Sequence, residues 1–227
     1  IGLFITIHYI SPPKPWGDVS QSLIYHQVRK YLLRLRQDHV KFWRPQILLL
    51  VDDPRSAWNL IAFCNNLKKG GLYILGHVLV TKDFQQSFDE IKKQQNAWIQ
   101  LRDLSKVKAF VQIGAGPDVV WGARNVYLGS GLGGMKPNIT VLGFFERRST
   151  SGSEPSKTVI PFDTLPTDNC RQESSITVSQ WVNIIEDLLI MRANVAIAKG
   201  FHNLELPFTK KSNGKKFTPT KKYIDLY

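Results

Sequence analysis

Ser130-Gly131-Leu132-Gly133-Gly134-Met135-Lys136-Pro137-Asn138-Ile139-Thr140-Val141-Leu142-Gly143-Phe144 joins a glycine-rich turn to a short apolar run. Four glycines fall between positions 129 and 134. That density permits positive φ and close backbone approach. Pro137 cannot donate to a ladder and suits the start of a strand. Asn138 to Leu142, with β-branched members, predicts a buried strand, and Gly143 leaves room for something to approach where it ends.

Other runs of the same kind stand on either side. Gln46 to Val51 is continuously apolar and stops at Asp52-Asp53-Pro54, as a strand covered on both faces does. Pro54 suits the first turn of a helix over Arg55 to Leu67, with Trp58, Ile61, Ala62 and Leu67 inward and Gly70-Gly71 as its stop. Leu72 to Thr81 predicts a second strand. Asp83 predicts the cap of a helix to about Leu101, with Phe84, Phe88, Ile91, Trp98 and Leu101 along one stripe. Lys108 to Ile113 is a third strand, after which Gly114-Ala115-Gly116-Pro117-Asp118 opens a helix to about Gly129. Thr177 or Ser179 begins a further helix to about Met191, and Asn194 to Ala198 is a fifth strand. Strands alternating with helices predict right-handed βαβ units, hence an α/β fold with a doubly wound, mostly parallel five-stranded sheet.

The flanks differ in composition. Formal net charge is +12. Residues 14–44 carry seven Lys/Arg against two Asp, and 199–227 carry seven Lys against one Asp and one Glu. Basic ends around a nearly neutral middle suit an anionic membrane surface. A solvated basic tail at 209–222 is the plainer alternative, and a nucleic-acid-binding module is a third. Asp18, answered by Gln21, predicts a helix cap, and Val19, Ile24, Val28, Tyr31, Leu32 and Leu35 recur at helical spacing. Ser149 to Ser156 is low in complexity, and Pro161 and Pro166 keep 146–177 an open, flexible loop. Arg147-Arg148 precede Ser149, Thr150, Ser151 and Ser153. A phosphate added there would sit beside arginine and order the loop or change its docking; an unmodified linker is the alternative.

Catalysis finds little support. His8, His26, His39, His77 and His202 form no ligand motif, no serine sits in Gly-x-Ser-x-Gly, and Cys64 and Cys170 lack metal or redox spacing. Asp52-Asp53 suit helix capping better than a metal. The topology would gather Asp52, Asp53, Gly76, Gly114 and Gly143 near the carboxyl edge of the sheet, where such folds bind ligands, and glycines there admit a phosphate. Neither a full dinucleotide fingerprint nor a Walker A sequence is present. The alternative is tight turns in an α/β fold.

Gly131-Leu132-Gly133-Gly134-Met135-Lys136-Pro137-Asn138-Ile139-Thr140-Val141-Leu142-Gly143-Phe144 resembles a stretch of the cytosolic C-terminal domain of cation–chloride cotransporters. Pro15-Trp16-Gly17 with Ser20-Gln21-Ser22-Leu23 resembles the start of that family's linker helix. Trp43-Arg44-Pro45-Gln46-Ile47-Leu48, Gly71-Leu72-Tyr73-Ile74-Leu75-Gly76-His77-Val78 and Val107-Lys108-Ala109-Phe110 resemble its first three cytosolic strands. The matches run in order over roughly 1–145. Pro137-Asn138 is nearer the sodium-coupled branch and Gly133-Gly134-Met135 nearer the potassium–chloride branch, so the cargo, potassium and/or sodium with chloride, stays open.

The resemblance implies a universal-stress-protein-like topology and a non-enzymatic regulatory and dimerisation role beneath a transmembrane domain of the same protein, in a vacuolar or plasma membrane. It divides the chain into 1–15, the end of the last membrane helix and its exit; 16–44, an amphipathic linker helix that crosses its twin through Ile24, Val28, Tyr31, Leu32 and Leu35; 45–200, the α/β domain; and 201–227, a basic polar tail. No cofactor is required. Some potassium–chloride relatives bind ATP on this domain, which keeps an ATP-binding switch of the stress-protein type as an alternative. No nucleic-acid partner is implied. The chain opens on Ile1 and closes on Ile-Asp-Leu-Tyr, and it reads as a piece of a longer protein. Its longest apolar runs fall short of the roughly 20 residues that span a bilayer, which predicts a soluble fragment.

Overall fold

The computed structural model describes residues 6, 19–36, 41, 43–145, 164–170 and 176–201. Its elements are α1 (Val19–Arg34), β1 (Ile47–Leu50), α2 (Trp58–Leu67), β2 (Tyr73–Val80), α3 (Phe84–Ser105), β3 (Phe110–Gly116), α4 (Val119–Gly129), β4 (Ile139–Gly143), a 3-10 turn (Pro166–Cys170), α5 (Val178–Ile190) and β5 (Asn194–Ala198). The five strands form one sheet in the order β3-β2-β1-β4-β5, and all four pairings are parallel. The order reverses between β1 and β4. The doubly wound α/β class expected from the strand–helix alternation is the one observed.

Parallel strands covered on both faces need apolar residues at successive positions. β1 meets that need, since Ile47, Leu48 and Leu49 are fully buried. Ile47, Leu49 and Val51 pack with Trp58, Ile61 and Cys64 of α2 and Trp98 and Leu101 of α3. Across the sheet, Leu48 joins Ile74 and Val126. Leu142 joins Val120 and Ala123 of α4 and Ile184 and Leu188 of α5. α4 lies unusually close to the sheet. A Cβ at Gly114 would stand 2.5 Å from the Gly122 carbonyl oxygen, and one at Gly122 would stand 2.1 Å from Val78 Cγ1.

Local signals set several helix starts. The Asp83 carboxylate accepts from the Gln85 and Gln86 amides. Thr177, not Ser179, begins α5 with a reciprocal capping box to Gln180. Asp118 caps α4 through the Val119 amide and also accepts from Gln180 Nε2 at 2.6 Å, which ties the starts of α4 and α5 together. The cap expected at Asp18 lies outside the described residues.

Four expectations are corrected. β3 runs on through Gly114-Ala115-Gly116 because β2 pairs with it to Val80↔Gly116, so the helix begins only after Asp118. Phe84 and Phe88 are 63% and 44% exposed, while Gln94 turns inward and donates to the Cys170 carbonyl. Within 146–177, residues 164–170 are not open loop. Leu165, Thr167 and Cys170 are buried, and Arg55 on the approach to α2 pairs with Asp168 at 2.5 Å. Finally, α1 ends at Arg34, short of the 16–44 expected, and residues 35–36 and 43–46 carry no regular secondary structure. No helix among the described residues is long and apolar enough to cross a membrane.

Two buried polar groups yield predictions. His77 is 8% exposed, its Nδ1 lies 2.9 Å from the Val51 carbonyl oxygen, and its ring lies 5.1 Å from Trp98. Burial lowers its pKa from the ordinary 6.5, against smaller raising effects of the Val51 carbonyl and Asp52. The folded chain therefore holds fewer protons at this site than the unfolded one. Its contribution is complete above the unfolded pKa and declines as pH falls toward the folded value. Urea midpoints measured downward from neutral pH will fall with pH, and His77→Gln will flatten that slope. Thr140 Oγ1 is buried with no hydrogen-bond partner among the described residues. Thr140→Val will raise unfolding free energy by about 1 kcal/mol in urea melts, because an unpaired buried hydroxyl is replaced by a methyl of similar size.

Candidate functional site

The projecting helix and its seat form the most distinctive arrangement in the molecule. Of residues 20–34, Leu32 alone is half-buried and the rest are exposed. Leu23, Ile24, Tyr25, Val28, Tyr31 and Leu33 are between 48% and 77% exposed. A helix this bare is held at its end. There the Gly134 amide donates to the Leu32 carbonyl at 3.2 Å. A Cβ at Gly133 would stand 2.6 Å from that oxygen, and one at Gly134 would stand 1.8 Å from the Leu35 carbonyl oxygen. Gly133 also has φ +57°, and Gly131 has φ +85°. Only glycine lets the turn meet the helix backbone this closely.

The turn is itself pinned. Leu132 and Met135 exchange two backbone hydrogen bonds of 3.0 Å. Immediately after it, Asn138 clamps β4 to β1. Its Oδ1 accepts from the Gln46 amide at 2.8 Å, its Nδ2 donates to the Arg44 carbonyl at 2.9 Å, and its carbonyl accepts from Asn194 Nδ2 on β5. Thus one loop registers three adjacent strands and carries α1. Between helix end and sheet lies an open groove of about 330 Å³, lined by Leu35, Arg36, Trp43, Arg44, Gln46 and Met135 among others.

Of the residues expected on the helix, Ile24, Val28, Tyr31 and Leu35 are exposed and Leu32 faces the glycine turn. Ser149, Thr150, Ser151 and Ser153 lie outside the described residues. At the opposite edge, the register Leu50↔Leu142 puts Asp52, Asp53 and Gly143 at adjoining strand ends. Asp53 Oδ1 accepts from the Arg55 amide, and its carbonyl from the Ala57 amide, which sets the entry to α2. The Gly143 carbonyl accepts from Trp181 Nε1 at 3.1 Å, with Phe144 against the same ring. Gly76 lies level with the end of β1 but inside the longer β2, and Gly114 lies inside β3. Gly76 pairs with Leu50 inside the sheet, and a Cβ there would stand 2.7 Å from Val126 Cγ1. These two glycines accommodate α4.

The Cys64 thiol is pushed up to about 12 by burial, which keeps it protonated and unreactive at neutral pH. No cluster of three His, Cys, Asp or Glu suited to a metal exists among the described residues. The sequence reading did not anticipate Gly133 and Gly134 as a seat for the helix, nor Asn138 as a clamp. The glycine density was the available signal, but the partner lies about a hundred positions earlier.

Sheet, turn and projecting helix define a doubly wound α/β module that carries an arm at the amino ends of its strands. A family model described as Solute carrier family 12 matches residues 57–158. The chain is 57% identical to vacuolar cation-chloride cotransporter 1 of Saccharomyces cerevisiae, across 99% of this chain and 22% of that protein. It is 40% identical to solute carrier family 12 member 9 of Homo sapiens, across 95% of this chain and 25% of that protein. It is 35% identical to member 2 of Mus musculus, across 63% of this chain and 12% of that protein. The chain belongs to solute carrier family 12, the cation–chloride cotransporters, and its length is at most about a quarter of these relatives'.

Gly134→Ala will detach the end of α1. Amides of residues 20–36 will exchange faster, and the domain will lose about 1–2 kcal/mol of stability, as substitutions at incompatible glycine positions do. Gly143→Ala, with no described residue within 4 Å of the added methyl, will stay within about 0.5 kcal/mol of the parent. Hydrogen exchange and urea melts of both variants check the contrast.

Proposed function

We propose that this chain is the regulatory and dimer-forming region, on the cytosolic side, of an electroneutral cation–chloride cotransporter. It carries no ions and performs no catalysis. Its work is mechanical: α1 joins protomers, and the glycine seat transmits the position of α1 to the α/β domain. One observation carries this reading. α1 is seated at its C-terminal end and bare along its length, with Tyr25, Val28 and Tyr31 at least 49% exposed. Exposed apolar side chains in a row on one element mark a surface that meets a partner. A second copy of the same helix, brought by a twin protomer, satisfies it in a symmetric assembly.

The yeast relative's name supplies the rest of the proposal. We infer that the full protein resides in a vacuolar membrane and couples potassium or sodium to chloride through membrane spans outside this chain. Arg29, Lys30 and Arg34 on α1 then face an anionic leaflet or its near zone, where each basic residue contributes about 1 kcal/mol of attraction. Phosphorylation at Ser149, Thr150, Ser151 or Ser153, beside Arg147-Arg148, is the proposed control input.

The test uses the full-length carrier. Val28→Asp with Tyr31→Asp will abolish cross-linking between protomers and reduce chloride-dependent cation flux several-fold. The same pair in the present chain will leave its melting temperature unchanged, since both side chains are exposed. Unaltered cross-linking and flux would remove the connector role.

A further inference from the structure

The groove under the end of α1 has a chemistry that the connector role does not require. Arg36 and Arg44 line it, and neither guanidinium is in an ion pair among the described residues. Among the described residues, no acidic side chain lines it. Trp43 forms a wall and is 54% exposed, a large exposure for the largest aromatic side chain. Leu35, Leu72 and Met135 supply an apolar lining, and no described residue comes within 4 Å of the missing Cβ of Gly70. The Asn138 side chain is already occupied at both ends, by the Gln46 amide and the Arg44 carbonyl.

These features specify a ligand. Two guanidinium forks call for phosphate oxygens, which they can bind with two donors each. A tryptophan wall takes the flat face of a ring. The volume, about 330 Å³, lies at the small end of the range for small-molecule sites, roughly 300–1,000 Å³. We propose that this groove binds a phosphorylated cyclic polyol, an inositol phosphate, with phosphates on Arg36 and Arg44 and the ring against Trp43. The chemistry is shared by the free sugar phosphate and by a phosphoinositide headgroup. Bound there, it bridges the end of α1 at Arg36 to the start of β1 and stiffens the joint. This site is independent of protomer pairing and lies at the edge of the sheet opposite Asp52 and Gly143.

Calorimetry of the 227-residue chain with inositol 1,4,5-trisphosphate reads the site directly. Flotation with vesicles holding the corresponding phosphoinositide, against phosphatidylserine vesicles of equal charge, separates the two sources. Saturable binding of the soluble trisphosphate at one site is expected. Arg36→Gln with Arg44→Gln will weaken it about tenfold or more, the scale of lost charge-assisted bonds. Trp43→Ala will weaken it several-fold. The double variant Lys92→Gln, Lys93→Gln, which removes the same charge from exposed positions of α3, will leave affinity unchanged. Vesicle binding selective for the phosphoinositide assigns the lipid source, and soluble binding without that selectivity assigns the free one. Three results overturn the proposal: no binding in either arm, trisphosphate binding no tighter than that of inorganic phosphate, or equal losses in the arginine and lysine variants. Unchanged melting temperatures in the arginine and lysine variants keep misfolding out of the comparison, and Trp43→Ala supplies a second, uncharged variant of the site.

Discussion

Two backbones meeting without side chains between them set the geometry of this molecule. Where α1 ends, its Leu32 and Leu35 carbonyls lie so close to Gly133 and Gly134 that a single methyl group would stand 2.6 Å or 1.8 Å from an oxygen. Contact at that range is stiff, because it leaves no flexible side chain to absorb movement. It also costs little to form when glycine is already in the required conformation, as Gly133 is at φ +57°. The exposed apolar surface of α1 therefore keeps a defined relation to the sheet although the helix is bare along most of its length.

The same solution recurs one layer inward. Gly114 and Gly122 let α4 lie directly on β2 and β3, with Val126 fully buried beneath it. α4 leads through Ser130 into the glycine turn, and the turn leads through Asn138 into β4. A displacement of α1 thus acts on a loop whose two ends are fixed in the core, one by helix packing and one by the Asn138 clamp on Gln46 and Arg44. The Arg124–Asp187 pair at 2.5 Å joins α4 to α5.

Much of this was legible in the residues. Continuous apolar runs marked β1 and β2, Asn194 to Ala198 matched β5 to the residue, and Asp83 and Thr177 announced their helices by capping chemistry. What escaped was set by distant partners. Gly114-Ala115-Gly116 carries no strand signal of its own and is extended because β2 supplies a ladder as far as Val80. Gln94 is buried by a carbonyl 76 positions away, and 164–170 is ordered by Arg55 and by its own Leu165 and Cys170. Gly76 and Gly114 look alike whether they admit a phosphate or a helix, and only the position of Val126 tells which. Membership of solute carrier family 12 rested on the ordered strand-start motifs, which the family match and the identities to relatives bear out.

Everything said of the connecting role rests on α1 being locked to the turn. The Gly134 amide reports that lock, because it donates to Leu32 across the joint. Its hydrogen exchange in the intact chain, read by NMR at neutral pH, will be slowed well below the rate of an exposed loop amide and will track that of the last turn of α1. Exchange of Gly134 at the unprotected rate, with β4 amides still protected, would show the helix and the domain to be separate bodies.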